Sequence, residues 1–322
     1  MNKKITFILL VCISFSGLLR AQLSGNYTIG GTTPDYATIT DALTATQAGI
    51  TGPVVFNIRP GTYSGKLFFN DIQGSSSTNT VTFQSESGDS TSVIITDLSS
   101  TTSSSDFTIF VNGCDYLRLN QLTIERSGTD SYRTVIYMGS NSINFSVTNC
   151  IVHAEPYTFT SLNSSLVRQP VAQALDSLTT FRNNIFSGGS YGINLTGISA
   201  NVKLKNAVIE NNQFIDQGGQ SIILTNTIYA AVRNNSIITT TTNTQYEGIH
   251  LATSVGAEIS GNKIVAETGA EYGVFIENCA NLVTGPTHIF NNFIVCAGQF
   301  FLAGIAIDKS AYVNVYHNTV NI

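Results

Sequence analysis

A short pattern that returns eight times restricts the possible fold of this chain more than any other feature. In each copy, an apolar residue is followed three positions later by a middle residue, usually Asn, and two positions after that by another apolar residue. The middle residues are Leu122, Cys150, Asn184, Asn212, Asn235, Asn262, Asn292 and Asn318. The preceding apolar residues are Leu119, Val147, Phe181, Ile209, Val232, Ile259, Ile289 and Val315. The following apolar residues are Ile124, Val152, Phe186, Phe214, Ile237, Ile264, Ile294 and Val320. Successive middle residues are 28, 34, 28, 23, 27, 30 and 26 positions apart, which is typical of a solenoid.

The residues around each middle position alternate between apolar and polar, which indicates strands. A second strand recurs upstream, as at positions 221–224, 248–251 and 304–307. Strands that recur once per repeat, with no helical pattern between them, can pair only with their copies in neighbouring turns. The pattern therefore predicts an all-β fold, a single-stranded parallel β-helix whose coils stack about 4.8 Å apart. The alternative, an Asn-rich β-sandwich, has no reason to keep eight matched registers.

The repeated Asn residues predict a ladder of side-chain hydrogen bonds along one bend of the coil. Asn also tolerates the left-handed backbone that a sharp bend can require. Cys150 occupies one of these positions, and Cys114 aligns with Ser142, Thr227, Ser254 and Ser310 of other repeats. We therefore predict that the cysteines after residue 21 are packed in the interior and not joined in disulfides.

The first 21 residues are predicted to be a secretory signal peptide, because Lys3 and Lys4 precede an apolar run that ends near Ala21. Residues 22–53 are predicted to form an N-terminal cap that contains a short helix within 36–48, started by Thr38 and Asp41. Residues 54–322 are predicted to be the β-helix. Because the chain ends inside a repeat, the sequence also predicts that the protein is truncated there.

Composition limits the partners of the chain. Without Lys3, Lys4 and Arg20 it has 12 basic and 20 acidic residues, a net charge of −8, which argues against nucleic acid. No segment after residue 21 is long and apolar enough to predict a transmembrane helix.

The sequence resembles the pectin lyase-like superfamily of right-handed parallel β-helices over roughly residues 36–322, through its Asn bends and its Asn149-Cys150 pair. The N-terminal third is most similar to the pectin methylesterase branch, in the segments 36–43, 58–63 and 119–125. The resemblance implies the fold and the N-terminal helix. It does not extend to the catalytic motifs: where these esterases have a Gln-Asp pair, positions 153–157 read His-Ala-Glu-Pro-Tyr. Methylesterase activity is therefore not predicted.

Two acids directly follow the second strand of neighbouring repeats, Glu277 and Asp308. One coil of separation is close to the spacing of about 5 Å between the carboxyl groups of retaining glycosidases, so the two are candidate catalytic residues. If the protein is a lyase, the two carboxylates could also hold Ca²⁺. No other cofactor is predicted. The alternative is a pair of solvated acids at strand ends.

Arg182 and Arg233 are predicted to point outward on coils that flank Glu210, with Lys203 and Lys205 nearby. These cations could bind the carboxylates of an acidic polysaccharide. The resemblance to the pectin lyase-like superfamily implies that Arg233 could also act as the base of a lyase. The alternative is a row of surface ion pairs worth about 0–1 kcal/mol each.

The outer side of the second strand carries Tyr137, Asn194, Ile223, His250 and Phe275, of which His250 is a candidate substrate-binding residue. The longest interval, between Cys150 and Asn184, predicts a loop that contains Tyr157, Phe159 and Arg168, and such loops often form binding sites.

These patterns predict a secreted or cell-surface β-helix protein that binds a polysaccharide or serves in surface display, like an adhesin. The alternatives are a polysaccharide lyase that acts on uronate polymers and a glycoside hydrolase.

Overall fold

The computed structural model describes residues 22–102, 106–140, 142–157, 160–170, 177–280, 285–298 and 302–322. These residues form a parallel β-helix in which each coil contributes one strand to each of three sheets. All strand pairs within the three sheets are parallel, as predicted. The predicted signal peptide lies outside the described residues.

Sheet A contains eleven strands. They are Leu23–Ile29, Ile50–Ile58, Val81–Ser85, Leu117–Asn120, Ser146–Thr148, Thr180–Arg182, Val208–Glu210, Ala231–Arg233, Glu258–Ser260, Thr287–Phe290 and Val313–Tyr316. The apolar residue that precedes each middle residue belongs to this sheet. These residues are direct register partners from Leu119 to Val315.

Sheet B contains ten strands and begins directly after the bend. They are Gly61–Ser64, Val93–Leu98, Thr123–Ser127, Ile151–Pro156, Ile185–Gly189, Gln213–Ile215, Ser236–Thr239, Lys263–Ala266, Phe293–Cys296 and Thr319–Asn321. The second apolar residue of each repeat lies here, again in direct register from Ile124 to Val320. The repeated pattern therefore spans two sheets.

Sheet C contains nine strands and corresponds to the predicted second strand. They are Leu67–Asn70, Ile109–Asn112, Ile136–Ser140, Ser165–Gln169, Tyr191–Thr196, Gln220–Thr225, Tyr246–Ala252, Ala270–Glu277 and Ala303–Asp308. A short 3₁₀ turn, Leu162–Ser164, precedes the fourth strand, and a two-stranded sheet pairs Leu204–Lys205 with Thr227–Ile228. Inward side chains of the three sheets form one continuous core, for example Ile209, Phe214 and Leu195, all fully buried. Each such side chain contributes about 1.5–3 kcal/mol when fully buried.

The bend between sheets A and B is held by the predicted Asn ladder. Asn184, Asn212, Asn235, Asn262 and Asn292 each donate, from backbone N–H and from Nδ2, to the Oδ1 atom of the Asn in the next coil at 2.9–3.0 Å. Each Nδ2 also donates to a backbone carbonyl of the preceding coil. The left-handed residue is not the ladder Asn, as the sequence suggested, but the one before it, such as Asn211 (φ 58°) or Asn234 (φ 53°). The ladder Asn can therefore point inward while its neighbour makes the turn.

The N-terminal cap contains the helix Ile39–Thr46, and Thr38 and Asp41 form its capping box. Ile39, Ala42 and Leu43 pack on the core, as expected from their spacing. Two boundaries differ from the prediction. Sheet A begins with Leu23–Ile29, inside the segment predicted to be only a cap, and the strand predicted to start at Val54 starts at Ile50.

The four cysteines of the described part are buried and free, in agreement with the prediction. Cys279 is part of a second ladder, in which the backbone N–H of Thr227 donates to Ser254 Oγ and that of Cys279 donates to Ser310 Oγ, both at 2.9 Å. In the last described coil, Val315 and Val320 are 43% and 42% exposed, although their columns are fully buried one coil earlier. The predicted truncation stays a prediction.

Candidate functional site

The outer face of sheet C carries a central column of side chains along most of the described solenoid. We call this outer face, with the residues on either side of the column, the sheet C face. In register order, the column is Phe68, Phe110, Tyr137, Arg168, Asn194, Ile223, His250, Phe275 and Ala306. These residues point outward because their strand neighbours fill the core. With nine strands about 4.8 Å apart, the column is about 38 Å long. The five residues that the sequence assigned to this side of the strand are all present in it.

Four aromatic rings form a row at the N-terminal end of the sheet C face. Phe107 lies 5.2 Å from Phe68 and 5.3 Å from Phe110 between ring centroids, and Phe110 lies 5.5 Å from Tyr137. Phe68 is 48% exposed, and the other three are partly buried. Such a group of aromatic side chains, at least partly exposed, is typical of a binding surface.

A bulge at Gly139 shapes this aromatic row. The register between the strands Ile109–Asn112 and Ile136–Ser140 shifts after Met138. A Cβ atom on Gly139 would lie 2.2 Å from the Phe110 ring, so the ring lies directly over the glycine backbone. Glycine in a strand often marks a bulge or such a close approach.

Arg168 lies at the centre of the sheet C face. Its Nη1 atom donates to Asn163 Oδ1 at 3.0 Å and lies 3.9 Å from Asp106 Oδ2. Its guanidinium carbon is 5.8 Å from the centroid of the Tyr137 ring. Asp106 accepts hydrogen bonds from the backbone N–H and the hydroxyl of Thr134 at 2.7 and 2.8 Å. Burial nevertheless raises the pKa of Asp106 above its usual value.

An acidic cluster around His250 forms the C-terminal part of the face. The Nδ1 atom of His250 lies 2.8 Å from Glu247 Oε2, and its Nε2 atom lies 3.4 Å from Glu277 Oε2. The imidazole also packs on Phe275 at 4.9 Å, and Phe275 stacks on Tyr272 at 4.6 Å. Both ring nitrogens therefore face carboxylates, and the histidine is held between two acids.

Glu277 and Asp308 are direct register partners, so the predicted adjacency of these two acids is confirmed. Each also contacts a polar or charged neighbour in its own coil. Glu277 accepts a hydrogen bond from Asn278 Nδ2 at 3.2 Å, and Asp308 lies 3.3 Å from Lys309 Nζ. Their carboxylates lie at the edge of the sheet C face, two positions after Phe275 and Ala306.

The predicted cations Arg182 and Arg233 lie on sheet A and are not brought together with these acids. Arg182 donates from Nε and Nη2 to Glu210 Oε2 at 3.2 and 2.9 Å. Arg233 forms a two-pronged pair with Glu258 at 2.9 and 2.8 Å. The surface ion pairs that the sequence left as an alternative are therefore present.

The remaining candidates are also separate from the sheet C face. Lys203 Nζ donates to the backbone carbonyl of Thr253, and burial lowers the pKa of Lys203. Lys205 is exposed in the two-stranded sheet. Tyr157 has the Arg133 guanidinium 4.9 Å from its ring centroid and lines a cavity of about 240 Å³ with Asp216 and neighbouring threonines. Phe159 lies outside the described residues.

Sequence reasoning missed Phe68, Phe107 and Phe110. A signal was available in the strands Leu67–Asn70 and Ile109–Asn112. In both strands, an outward position between two inward apolar residues is also apolar, which could have indicated an aromatic surface. These strands precede the first copy of the eightfold pattern and were not aligned with the later coils.

The fold and this site define a parallel β-helix protein of the pectin lyase-like superfamily. The Aspergillus niger pectin methylesterase is similar with a TM-score of 0.54 at 14% identity, over 91% of this chain and 90% of that chain. A GH136 lacto-N-biosidase from Eubacterium ramulus gives a TM-score of 0.57 at 10% identity, over 92% and 68%. Escherichia coli YbhC gives a TM-score of 0.52 at 12% identity, over 92% of this chain and 86% of that chain. A search of the curated proteins found no match.

A family model described as the periplasmic copper-binding protein NosD matches residues 72–321. This chain belongs to the NosD family.

The described residues do not fit a copper site. They contain no group of three or more His, Cys, Asp or Glu side chains placed to share a metal ion. The thiolate is the form of cysteine that binds metal, and burial raises the pKa of Cys150 to about 12 and that of Cys296 to about 11. Cys150 and Cys279 are also engaged in the two ladders.

In the described part of the chain, no helix has the length and hydropathy needed to cross a membrane.

Proposed function

We propose that this protein binds a polysaccharide along the sheet C face. The row formed by Phe68, Phe107, Phe110 and Tyr137 carries this proposal, because rigid aromatic rings offer a large contact area at low entropic cost and can stack on the C–H faces of sugar rings. The length of the face, about 38 Å, suits an extended polymer more than a small molecule.

Three further observations support a sugar ligand. The acids and amides on the same face can hydrogen-bond hydroxyl groups, and these include Asn194, Gln220 and Glu277. The groove of about 200 Å³ between the capping helix and the first strand of sheet C extends the face beyond Phe68. Two of the structurally similar proteins bear names of carbohydrate-active enzymes, a pectin methylesterase and a lacto-N-biosidase.

The place of action that we propose is outside the inner membrane. The predicted signal peptide and the periplasmic description of the family both support export. The adhesin-like role and the choice between periplasm and cell surface stay predictions.

A second candidate function, glycoside hydrolysis, is favoured by one observation, the register pairing of Glu277 with Asp308. Adjacent strands hold two carboxyl groups at about the separation found in retaining glycosidases. Release of reducing ends from a bound polymer, lost in Asp308→Asn, would support it. Binding without any product would leave the protein as a binding module.

The main test is affinity electrophoresis against a panel of soluble polysaccharides, followed by titration calorimetry with those that retard the protein. We expect Phe110→Ala and Tyr137→Ala to weaken binding about tenfold each, because each removes one stacking platform worth about 1.4 kcal/mol. Phe290→Ala is the matched control, since Phe290 stacks on Tyr316 at 5.1 Å on the outer face of sheet A. Equal losses in all three variants, or no retardation by any polymer, would refute the proposal.

A further inference from the structure

Arg168 uses only a small part of its hydrogen-bonding capacity. A guanidinium group has five N–H donors in a planar fork. Among the described residues, only Nη1 of Arg168 donates, to Asn163 Oδ1, and Nε and Nη2 have no acceptor. The side chain is 20% exposed and belongs to the outward column of sheet C.

The described residues also compensate the charge of Arg168 only weakly. Among the described residues, the nearest acid is Asp106, 3.9 Å away. Each of its carboxylate oxygens accepts one hydrogen bond from Thr134. The backbone and hydroxyl of Thr134 therefore satisfy the acid, and Arg168 forms no hydrogen bond with it. This contrasts with Arg182 and Arg233, whose forks are closed on Glu210 and Glu258.

A cavity of about 110 Å³ opens beside Arg168 and is also lined by Leu162, Gln169, Pro170, Asn194 and Thr196. Asn194 is 6% exposed, and its Oδ1 atom accepts from Thr196 Oγ1 at 3.3 Å. Its Nδ2 atom donates to no described residue. The cavity therefore combines a guanidinium fork with unused donors and a buried amide donor in the adjacent coil.

We propose that this cavity is a subsite for one anionic substituent, a carboxylate or a sulfate, of the bound polysaccharide. The inference rests on the proposed function, because the substituent would belong to a sugar that stacks on Tyr137, the register neighbour of Arg168. Arg binds carboxylate and sulfate-like groups through two parallel hydrogen bonds, and a partly desolvated cavity strengthens them. The Nδ2 group of Asn194 supplies a third donor.

The acidic residues of the sheet C face indicate that such anionic groups are widely spaced along the polymer. Glu247 lies three coils after Arg168, Glu277 four coils after it and Asp308 five coils after it, with His250 between the first two acids. A polymer with an acid on every sugar would place like charges against these residues, which disfavours binding. The ligand class is therefore a largely neutral polysaccharide with occasional acidic substituents.

The test compares matched oligosaccharide pairs by titration calorimetry with the full chain. One pair is a xylo-oligosaccharide with and without a single glucuronate branch, and the other is an agaro-oligosaccharide with and without sulfate. We expect the wild type to prefer the anionic member of at least one pair about tenfold or more, and the preferred pair identifies the anion. Polygalacturonate should bind more weakly than the preferred oligosaccharide.

Arg168→Gln should remove this preference and keep affinity for the neutral member, whereas Arg168→Lys should retain part of it, because the charge remains but the fork is lost. Arg182→Gln is the matched control on sheet A and should leave the preference intact. Equal wild-type affinity for both members of both pairs would overturn the subsite and leave the proposed function standing. Failure of the wild type to bind any of the four oligosaccharides or any panel polysaccharide would overturn both.

Discussion

Two regions of this solenoid use polar side chains in opposite ways. At the bend between sheets A and B, each Asn in the middle of the ladder donates from its backbone and side chain to the next coil, and its Oδ1 atom accepts from the previous one. At the centre of sheet C, Arg168 uses one donor, Asn194 leaves Nδ2 unused, and neither polar atom of Gln169 has a hydrogen-bond partner in the described structure.

The number of hydrogen bonds made by a polar group therefore distinguishes groups that stabilise the fold from groups that remain able to bind a ligand. A buried polar group costs free energy unless it is hydrogen-bonded, so a ladder with every bond made is a structural element. Polar groups that are left incomplete at a surface cavity are candidates for ligand binding. The ion pairs of Arg182 and Arg233 on sheet A are structural in the same sense as the ladder, because their guanidinium groups already donate to Glu210 and Glu258.

The largest effect is expected at the ladder. Asn235→Ala should lower the free energy of unfolding by about 3 kcal/mol, because it leaves the backbone N–H of Asn212 and the carbonyl of Ile209 buried without partners. Urea-induced unfolding followed by circular dichroism measures this change. The affinity for polysaccharide should not change in the folded variant.

Asn318→Ala is the control for this experiment. Asn318 is the last ladder residue and is only partly buried, so water can replace its lost hydrogen bonds and the cost should be about 1 kcal/mol. Equal losses in the two variants would show that the number of satisfied bonds does not determine the contribution of a ladder residue.

The next effect concerns two buried glutamines, one whose side chain has no hydrogen-bond partner and one whose side chain has several. Gln169 is 1% exposed, pairs in register with the core residue Leu195, and has no partner for its amide, so Gln169→Leu should raise the free energy of unfolding by about 1 kcal/mol. Gln217 donates to three backbone carbonyls and accepts from Ser221, so Gln217→Leu should lower it by about 2 kcal/mol. Thermal and urea unfolding of both variants measure the two signs, and a loss in both would contradict the comparison.

The smallest effect is expected at the Arg233–Glu258 pair of sheet A. The two side chains are 40% and 33% exposed, so Arg233→Gln should cost less than about 1 kcal/mol at neutral pH. Polysaccharide binding should be unaffected. A clear loss of binding would restore Arg233 as a site residue.

The pH dependence of this variant gives a second measurement. Burial tends to raise the pKa of Glu258, but hydrogen bonds from Arg233 and Ser260 and the charges of Arg233 and His288 outweigh it and lower the pKa below 4.5. A carboxyl group with a lowered pKa stabilises the fold above its unfolded pKa, and this contribution is lost as the pH falls through the folded pKa. The difference between wild type and Arg233→Gln should therefore shrink between about pH 5 and about pH 3. A difference that grows at acid pH would contradict this assignment.

Much of the fold could be predicted because each coil repeats the same constraints. Val232 and Ile237 were placed in continuous columns from their spacing alone, and their registers are confirmed. The site was harder to predict. Arg233 pairs diagonally with Glu258 of the next coil. The two residues are 25 positions apart, and the loops between coils vary in length, so the sequence alone does not identify this partner. The aromatic row was missed because its early coils lack the repeated pattern.

The parallel stacking of like residues and the N-terminal helix were determined by the sequence itself. Alternation and a regular interval favour a parallel coil, because this arrangement buries every apolar column. Which polar groups remain unsatisfied was decided only by the tertiary structure. The reach of Glu258 to Arg233, the occupation of Asp106 by Thr134 and the cavity beside Arg168 depend on how loops of unequal length bring side chains of neighbouring coils together.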